Sequence, residues 1–470
     1  MIRTTRDRAT IMFAKGGLIS LVIVLLAGVL GVLHYFPIGS RQLSNAGFNF
    51  TAIRPIHTTF ASTWIFLASV AIIYRYLQEV NQPVTNSERW RLRLIVVVWG
   101  LTGLGIIASL FAGITSGREY MGFHPVFSIS IMFGWILFGW SFFRLSWRGF
   151  FEKPVYVTMW GSGIILFLYT FTEQHAWLLP QVFADPIVDM RVQWKATGML
   201  VGSFNLLVYG CLYYLASKLV GDDRYAHSKL AYALFGITLL NSFTNYGHHT
   251  YHLPQDHLVK WISYVVSMSE IVILAKVIWD IAKTVLEKKK ASTATQFFLS
   301  ASKWWTMGIL VTAILISIPP LNSIIHGTYV VTGHAMGAEI GIDSMILFAC
   351  LAWILSQNLT NTKLLKQAAI GFNISTAALV VWLTVAGTVT GISRYKMLPA
   401  PEWITANNPI VFAITGISAA AFLALITFLL SRAAWSREVK PVAELPFVVV
   451  KSESVGISLE TSDQESVSPD

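Results

Sequence analysis

Apolar runs of about 20 residues, the length that carries an α-helix across a bilayer, recur through almost the whole chain. By that criterion roughly twelve can be drawn, at 16–36, 55–78, 93–114, 126–143, 156–173, 196–217, 230–249, 259–282, 305–325, 328–356, 366–392 and 408–431. Polar and basic residues cluster between the runs rather than along one face of them. A helix that is hydrophobic all round belongs in lipid or in a buried bundle. The pattern therefore predicts an all-α, polytopic membrane domain of twelve transmembrane helices over residues 1–440, followed by a tail at 441–470. The tail is rich in Ser, Glu and Asp and is expected to be disordered.

The loops set an orientation. Arg3, Arg6, Arg8 and Lys15 precede the first run, and alternate loops carry Arg89/Arg91/Arg93, Arg144/Arg148/Lys153, Arg224/Lys229, Lys288–Lys290, Lys363/Lys366 and Arg432/Arg437. The positive-inside rule then places both termini in the cytoplasm of a multi-pass protein of the cell (inner) membrane. The first run follows a basic leader and has no small-residue cleavage site, so it reads as a retained span.

Composition agrees. Hydrophobic residues make up 54% of the chain, charged residues 12%, and mean hydropathy is +0.60. That balance excludes an ordinary soluble domain. The net charge of +10 follows from topology and needs no nucleic acid partner. Cys211 and Cys350 both fall inside runs, so no disulfide framework is expected, and without a Cys-x-x-Cys-His segment there is no covalent c-type haem.

The candidate chemistry sits in histidines at one depth. His248 and His249 close the seventh run within Asn245-Tyr-Gly-His-His-Thr-Tyr251-His252. The segment His326-Gly-Thr-Tyr-Val-Val-Thr-Gly-His334-Ala-Met336 opens the tenth, and His57 begins the second. Gln193-Trp194-Lys195 precedes the sixth. The topology puts all of these toward the outer side. Polar side chains in hydrocarbon are costly and need a reason to be there, and neutral imidazole is the commonest protein ligand for transition metals and haem iron. Successive helical residues turn about 100°. His248 and His249 can therefore reach one metal, while His334 and Met336 point to nearly opposite faces and can serve two haems. His34, His124, His175, His227 and His257 read as satisfied interfacial residues.

These residues resemble a known family. Phe48-Asn49 followed by Arg54 and His57-Thr58, then Gly117-Arg118-Glu119-Tyr120, Gly247-His248-His249-x-Tyr251, Glu270 in the eighth run, and His326-Gly-Thr with His334 eight residues on resemble, in that order, the catalytic subunit of the haem-copper oxidase superfamily. The likeness is to its nitric oxide reductase branch and covers all twelve runs. It implies two non-covalent haems, b-type in this chain, one low-spin and one high-spin, and a non-haem iron or copper. It implies His57 as an axial ligand of the low-spin haem, His334 as the ligand of the high-spin haem, and His248 and His249 on the non-haem metal. Glu270 becomes a metal ligand or proton donor, and Tyr251 joins it as a catalytic residue. The electron donor is then a cytochrome c-type subunit or quinol, and the substrate a small gas.

The departures are specific. Gln193 stands where the family has the third histidine of the non-haem metal. Thr197 and Val201 stand where reductases carry glutamates, and Met336 replaces the second histidine of the low-spin haem. Thr197 also holds the place of the tyrosine many oxygen reductases carry. An amide oxygen is a weak ligand beside imidazole. Two readings follow: an oxidoreductase that transforms nitric oxide or a related gas, or a haem protein of the same fold working in electron transfer or gas binding without turnover. A haem-free transporter is a third.

Overall fold

The computed structural model describes residues 5–80, 82–118, 121–244, 249–251, 253–288 and 291–436. His248 and the 441–470 tail lie outside the described residues. Helix is the regular structure of the described residues, beside an isolated antiparallel bridge between Thr115 and Phe123. The long helices are α1 (Thr5–Leu33), α2 (Phe50–Leu77), α3 (Asn86–Phe111), α4 (Val126–Ser146), α5 (Val155–Glu173), α6 (Pro186–Val220), α7 (Lys229–Thr244), α8 (His257–Lys288), α9 (Thr293–Ser317), α10 (Tyr329–Ile354), α11 (Thr362–Tyr395) and α12 (Glu402–Ala434). Ten of these are long and apolar enough to cross a membrane among the described residues. The other two, α7 and α8, stand where the seventh and eighth runs were expected. The chain is a multi-pass, all-α membrane protein.

Local chemistry sets the helix ends. Asp185 caps α6, its Oδ1 accepting from the Ile187 and Val188 amides at 2.9 and 3.2 Å, with Pro186 at the first helical position. Gly221 ends the same helix at φ +89°. The expected ninth run, 305–325, is broken in the structure. Pro319-Pro320 cannot continue a helix interior, so α9 stops at Ser317 and a short helix, Pro319–Ile325, carries the chain toward His326.

Each helix packs on its sequence neighbours, α12 closes the ring against α1, and α2, α6 and α10 meet one another in the middle. Burial follows this plan: 89% of the α6 window and 72% of the α10 window are enclosed, against 17% for α12. Buried indoles stitch neighbours together, Trp135 to Ile164 O at 3.0 Å and Trp160 to Leu207 O at 3.0 Å, satisfying a donor that lipid could not. Leu26, Leu104, Ile129 and Leu258 are exposed on the outside, as a lipid-facing surface requires. At the terminal side, Arg6 is paired with Glu88 at 2.7 Å and also donates to Leu77 O and Val80 O. A buried ion pair with its remaining donors satisfied fastens α1 to α2 and α3.

Candidate functional site

Between α6, α8, α9 and α10, toward the side where α10 begins, lies a cavity of about 230 Å³. His249, His326, His334 and Glu270 all line it. His249 and His334, which the sequence placed at one depth, thus converge, with His326 and Glu270 beside them.

His334 is held in a defined tautomer. Its Nδ1 lies 3.1 Å from Thr312 Oγ1, and the Thr312 hydroxyl proton is already given to Ile309 O at 2.9 Å. Thr312 can then only accept, so His334 Nδ1 carries the proton and Nε2 keeps a bare lone pair. This partner on the far nitrogen is what a ligating histidine uses to fix its ring. His57 shows the same device. Its Nδ1 lies 3.0 Å from the carbonyl of Val24 on α1, which leaves Nε2 free. Gly28 sits against the His57 ring, where a Cβ would come within 3.1 Å of Cε1. Met336 lies on another face of α10, packed against Leu379, Leu383 and Phe412 of α11 and α12. The two α10 side chains therefore separate as their spacing predicted, His334 into the cavity and Met336 toward the other side.

His249 lines the cavity and stacks on Trp194, rings 5.8 Å apart and 6° from parallel. Gln193, one residue earlier, does not line it. Its amide oxygen faces Arg118 Nη1 at 3.4 Å, in a cluster where Arg118 binds Asp189 at 2.6 Å and stacks on Trp177. The α6 residues that do reach the cavity are Trp194, Thr197, Val201, Phe204, Asn205 and Tyr209. Thr197 is engaged by Gln174 Nε2 at 2.8 Å. Among the described residues, no three His, Cys, Asp or Glu side chains converge to hold a metal ion.

Tyr251 is placed elsewhere than expected. Its hydroxyl is directed at Ser317 O, 2.8 Å, and Lys260 O, 3.1 Å. It pins the 249–251 turn onto α8 and α9, outside the cavity lining, and burial pushes the phenol above its ordinary pKa. Glu270 is 6% exposed and takes a hydrogen bond from Asn241 Nδ2, whose own Oδ1 accepts from Ser267 at 3.0 Å. The interfacial histidines His34 and His175 are satisfied as expected, the first by Ser40 and Phe48 O, the second by Phe171 O and Ser128.

Three lining residues escape a reading of the sequence alone. His326 counts there only as part of a motif. Its backbone carbonyl accepts from Arg394 at 2.6 Å, and Gly327 at φ +71° turns the chain back into α10. Glu339 and Asp343, also in the lining, sit in a π-helical segment, Gly337–Asp343. Carboxyl groups within a span are the signal for them.

Comparisons with known proteins bear on the family and the fold. Residues 8–435 match the model of the family described as cytochrome c and quinol oxidase polypeptide I. A nitric oxide reductase chain of Stutzerimonas stutzeri is 20% identical over 377 residues, spanning 72% of this chain and 76% of that protein. A cryo-EM structure of a heme-copper terminal oxidase dimer superposes with TM-score 0.72 and 15% identity, covering 94% of this chain and 86% of that one. The last likeness speaks to the fold.

Proposed function

The chain belongs to the family of cytochrome c and quinol oxidase polypeptide I, respiratory membrane oxidoreductases, and on that footing we propose that it reduces nitric oxide in the cavity between His249 and His334. The observation that carries this reading is His334 itself, its Nδ1 fixed on Thr312 and its Nε2 bare beside a cavity of about 230 Å³.

Family membership implies haem and a non-haem metal in general, and the residues present fit the haems. His334 would hold one from a single side, with Ala335 and Ala338 leaving room beside it. His57 and Met336 would hold the other as an axial pair, a thioether raising its potential relative to a second histidine. Both are b-type in this proposal. A haem with one protein ligand supplies an open iron position for a small gas and the electrons to reduce it. The non-haem metal is another matter. His249 lies in the cavity and His248 lies outside the described residues, but Gln193 is turned to Arg118. The described residues do not complete a ligand set, and no step is assigned to that metal.

The chain's own contributions follow from position. Trp194 holds His249 by stacking, and Phe204 helps keep the cavity apolar. Glu270, held by Asn241, would give a proton to a bound gas and recover it. Two nitric oxide molecules, two electrons and two protons balance to one nitrous oxide and one water. The electrons come from a cytochrome c-type subunit or quinol, and the protein sits in the cell's inner membrane with both termini cytoplasmic.

The test is anaerobic nitric oxide consumption by the haem-loaded protein with an artificial reductant, with nitrous oxide measured as product. The reading expects one nitrous oxide for two nitric oxide consumed. Haem-loaded protein that binds the gas without consuming it favours the second reading, a gas-binding or electron-transfer protein, which the orientation of Gln193 supports.

A further inference from the structure

The α6 positions where the resemblance implied carboxylates are Thr197 and Val201, and both face the cavity. The opposite wall carries acids instead. Glu339 and Asp343 of α10 line the same cavity as Glu270, and no Lys or Arg stands among its described lining residues. A negative charge left on either acid has no cation beside it in that lining, so each proton given up must be replaced.

The local backbone is built to aim these acids. In a regular α-helix Glu339 and Asp343 would lie about 140° and about 180° around the axis from His334. The π-helical Gly337–Asp343 segment holds more residues per turn and changes that phase, and all three side chains reach one cavity. Gly337 and Gly341 press the segment against α9: a Cβ on Gly337 would fall 2.0 Å from Ile309, and one on Gly341 2.2 Å from Trp305. The Glu339 carbonyl accepts from Ser344 Oγ at 2.8 Å, and Ser344 in turn accepts from Trp64 at 3.1 Å. The segment is thus locked from two sides.

A line of hydroxyls continues from it toward the terminal side. Tyr209 of α6 lines the same cavity as Asp343 and Glu270. Tyr213, one turn further along α6, is 1% exposed and its hydroxyl has no hydrogen-bond partner. A buried, unpartnered hydroxyl marks a place for water. The Tyr213 ring stacks on Tyr225 at 5.9 Å, and Tyr225 donates to Asp280 at 3.2 Å near the terminal-side loop. At the other end, Asn322 Oδ1 is buried in the cavity lining without a partner, its Nδ2 given to Ile316 O.

We infer that Glu339 and Asp343 are the proton-carrying residues of the cavity, fed from the terminal side through Tyr225, Tyr213 and Tyr209. This rests on the gas-reduction reading above. Each acid gives its proton inward and takes one from the next group outward, so neither is consumed. Relative to His334 they stand roughly 7 and 13 Å toward the terminal side by helical rise.

The experiment is infrared difference spectroscopy of the reduced protein on photolysis of bound carbon monoxide, in H₂O and D₂O, with Glu339→Gln, Asp343→Asn, Tyr213→Phe and the conservative Glu339→Asp. A carboxylic C=O difference band should appear in the wild type, shift down in D₂O, vanish in Glu339→Gln and persist, displaced, in Glu339→Asp. Nitric oxide turnover should fall about a hundredfold in Asp343→Asn, with carbon monoxide binding unchanged, and should fall in Tyr213→Phe, whose ring keeps its stacking. Wild-type protein that binds carbon monoxide but shows no such band overturns the relay and leaves the haem reading standing. Protein that binds no carbon monoxide overturns both. An unchanged band and rate in Glu339→Gln and Asp343→Asn also sinks the relay.

Discussion

Two walls of one cavity carry opposite chemistry. The α6 wall presents Trp194, Thr197, Val201, Phe204, Asn205 and Tyr209, with no charged group and no imidazole. The α10 wall presents His334, Glu339 and Asp343, with a tautomer-fixing threonine behind the histidine and a π turn beneath it. Both helices are among the most enclosed in the molecule. The contrast teaches that burial can hold the shape of a site whichever wall carries its donors. On the α6 wall, Thr197 is tied to Gln174 within a closely packed helix.

The walls can be broken separately. The largest effect is expected from His334→Ala, which removes the single bare imidazole nitrogen of the α10 wall. Its absorption spectrum should lose the carbon monoxide-binding haem and retain the other. Next comes Gly341→Ala. A Cβ there meets the Trp305 ring, and overpacking of this kind costs about 1–3 kcal/mol, to be read as a lowered thermal midpoint in detergent together with altered carboxylic infrared bands. A milder loss should follow Thr312→Val. The methyl cannot accept from His334 Nδ1, and losing such a partner weakens retention of the group held by about tenfold or more, measurable by haem transfer to an apo-acceptor. Met336→Ala should leave gas binding alone and remove the thioether charge-transfer band of the oxidised protein in the near infrared. The smallest effect is on the α6 wall: Gln193→His should leave non-haem metal content unchanged, because the side chain at 193 faces Arg118. A rise in metal on analysis by mass spectrometry would show that position 193 can turn inward, and the contrast between the walls would weaken.

Much of this was legible in the amino-acid pattern. Apolar runs mark membrane helices because no other open structure satisfies its backbone in lipid, and each run overlaps an observed helix, although α1, α6 and α9 begin about ten residues or more before their runs. The ninth slipped because hydropathy does not register the break at Pro319-Pro320. The common depth of His249 and His334 followed from topology alone. What stayed hidden depends on angle. The side that Gln193 faces is decided by Arg118 and Asp189, a pair whose residues are 71 positions apart. Glu339 and Asp343 point away from His334 in any regular helical projection, and only the π turn brings them round. Tyr251 looked catalytic beside two histidines, yet its hydroxyl is used up on the carbonyls of Ser317 and Lys260, contacts that only the folded α8–α9 corner creates.

On the proposed function, His334 would hold one haem with an open side, while His57 and Met336 would close the other. Carbon monoxide titration of the reduced wild-type protein, against haem measured on the same sample, tests it most directly. Saturation is expected at one carbon monoxide for every two haems. No binding at all, or binding at both haems, would contradict it.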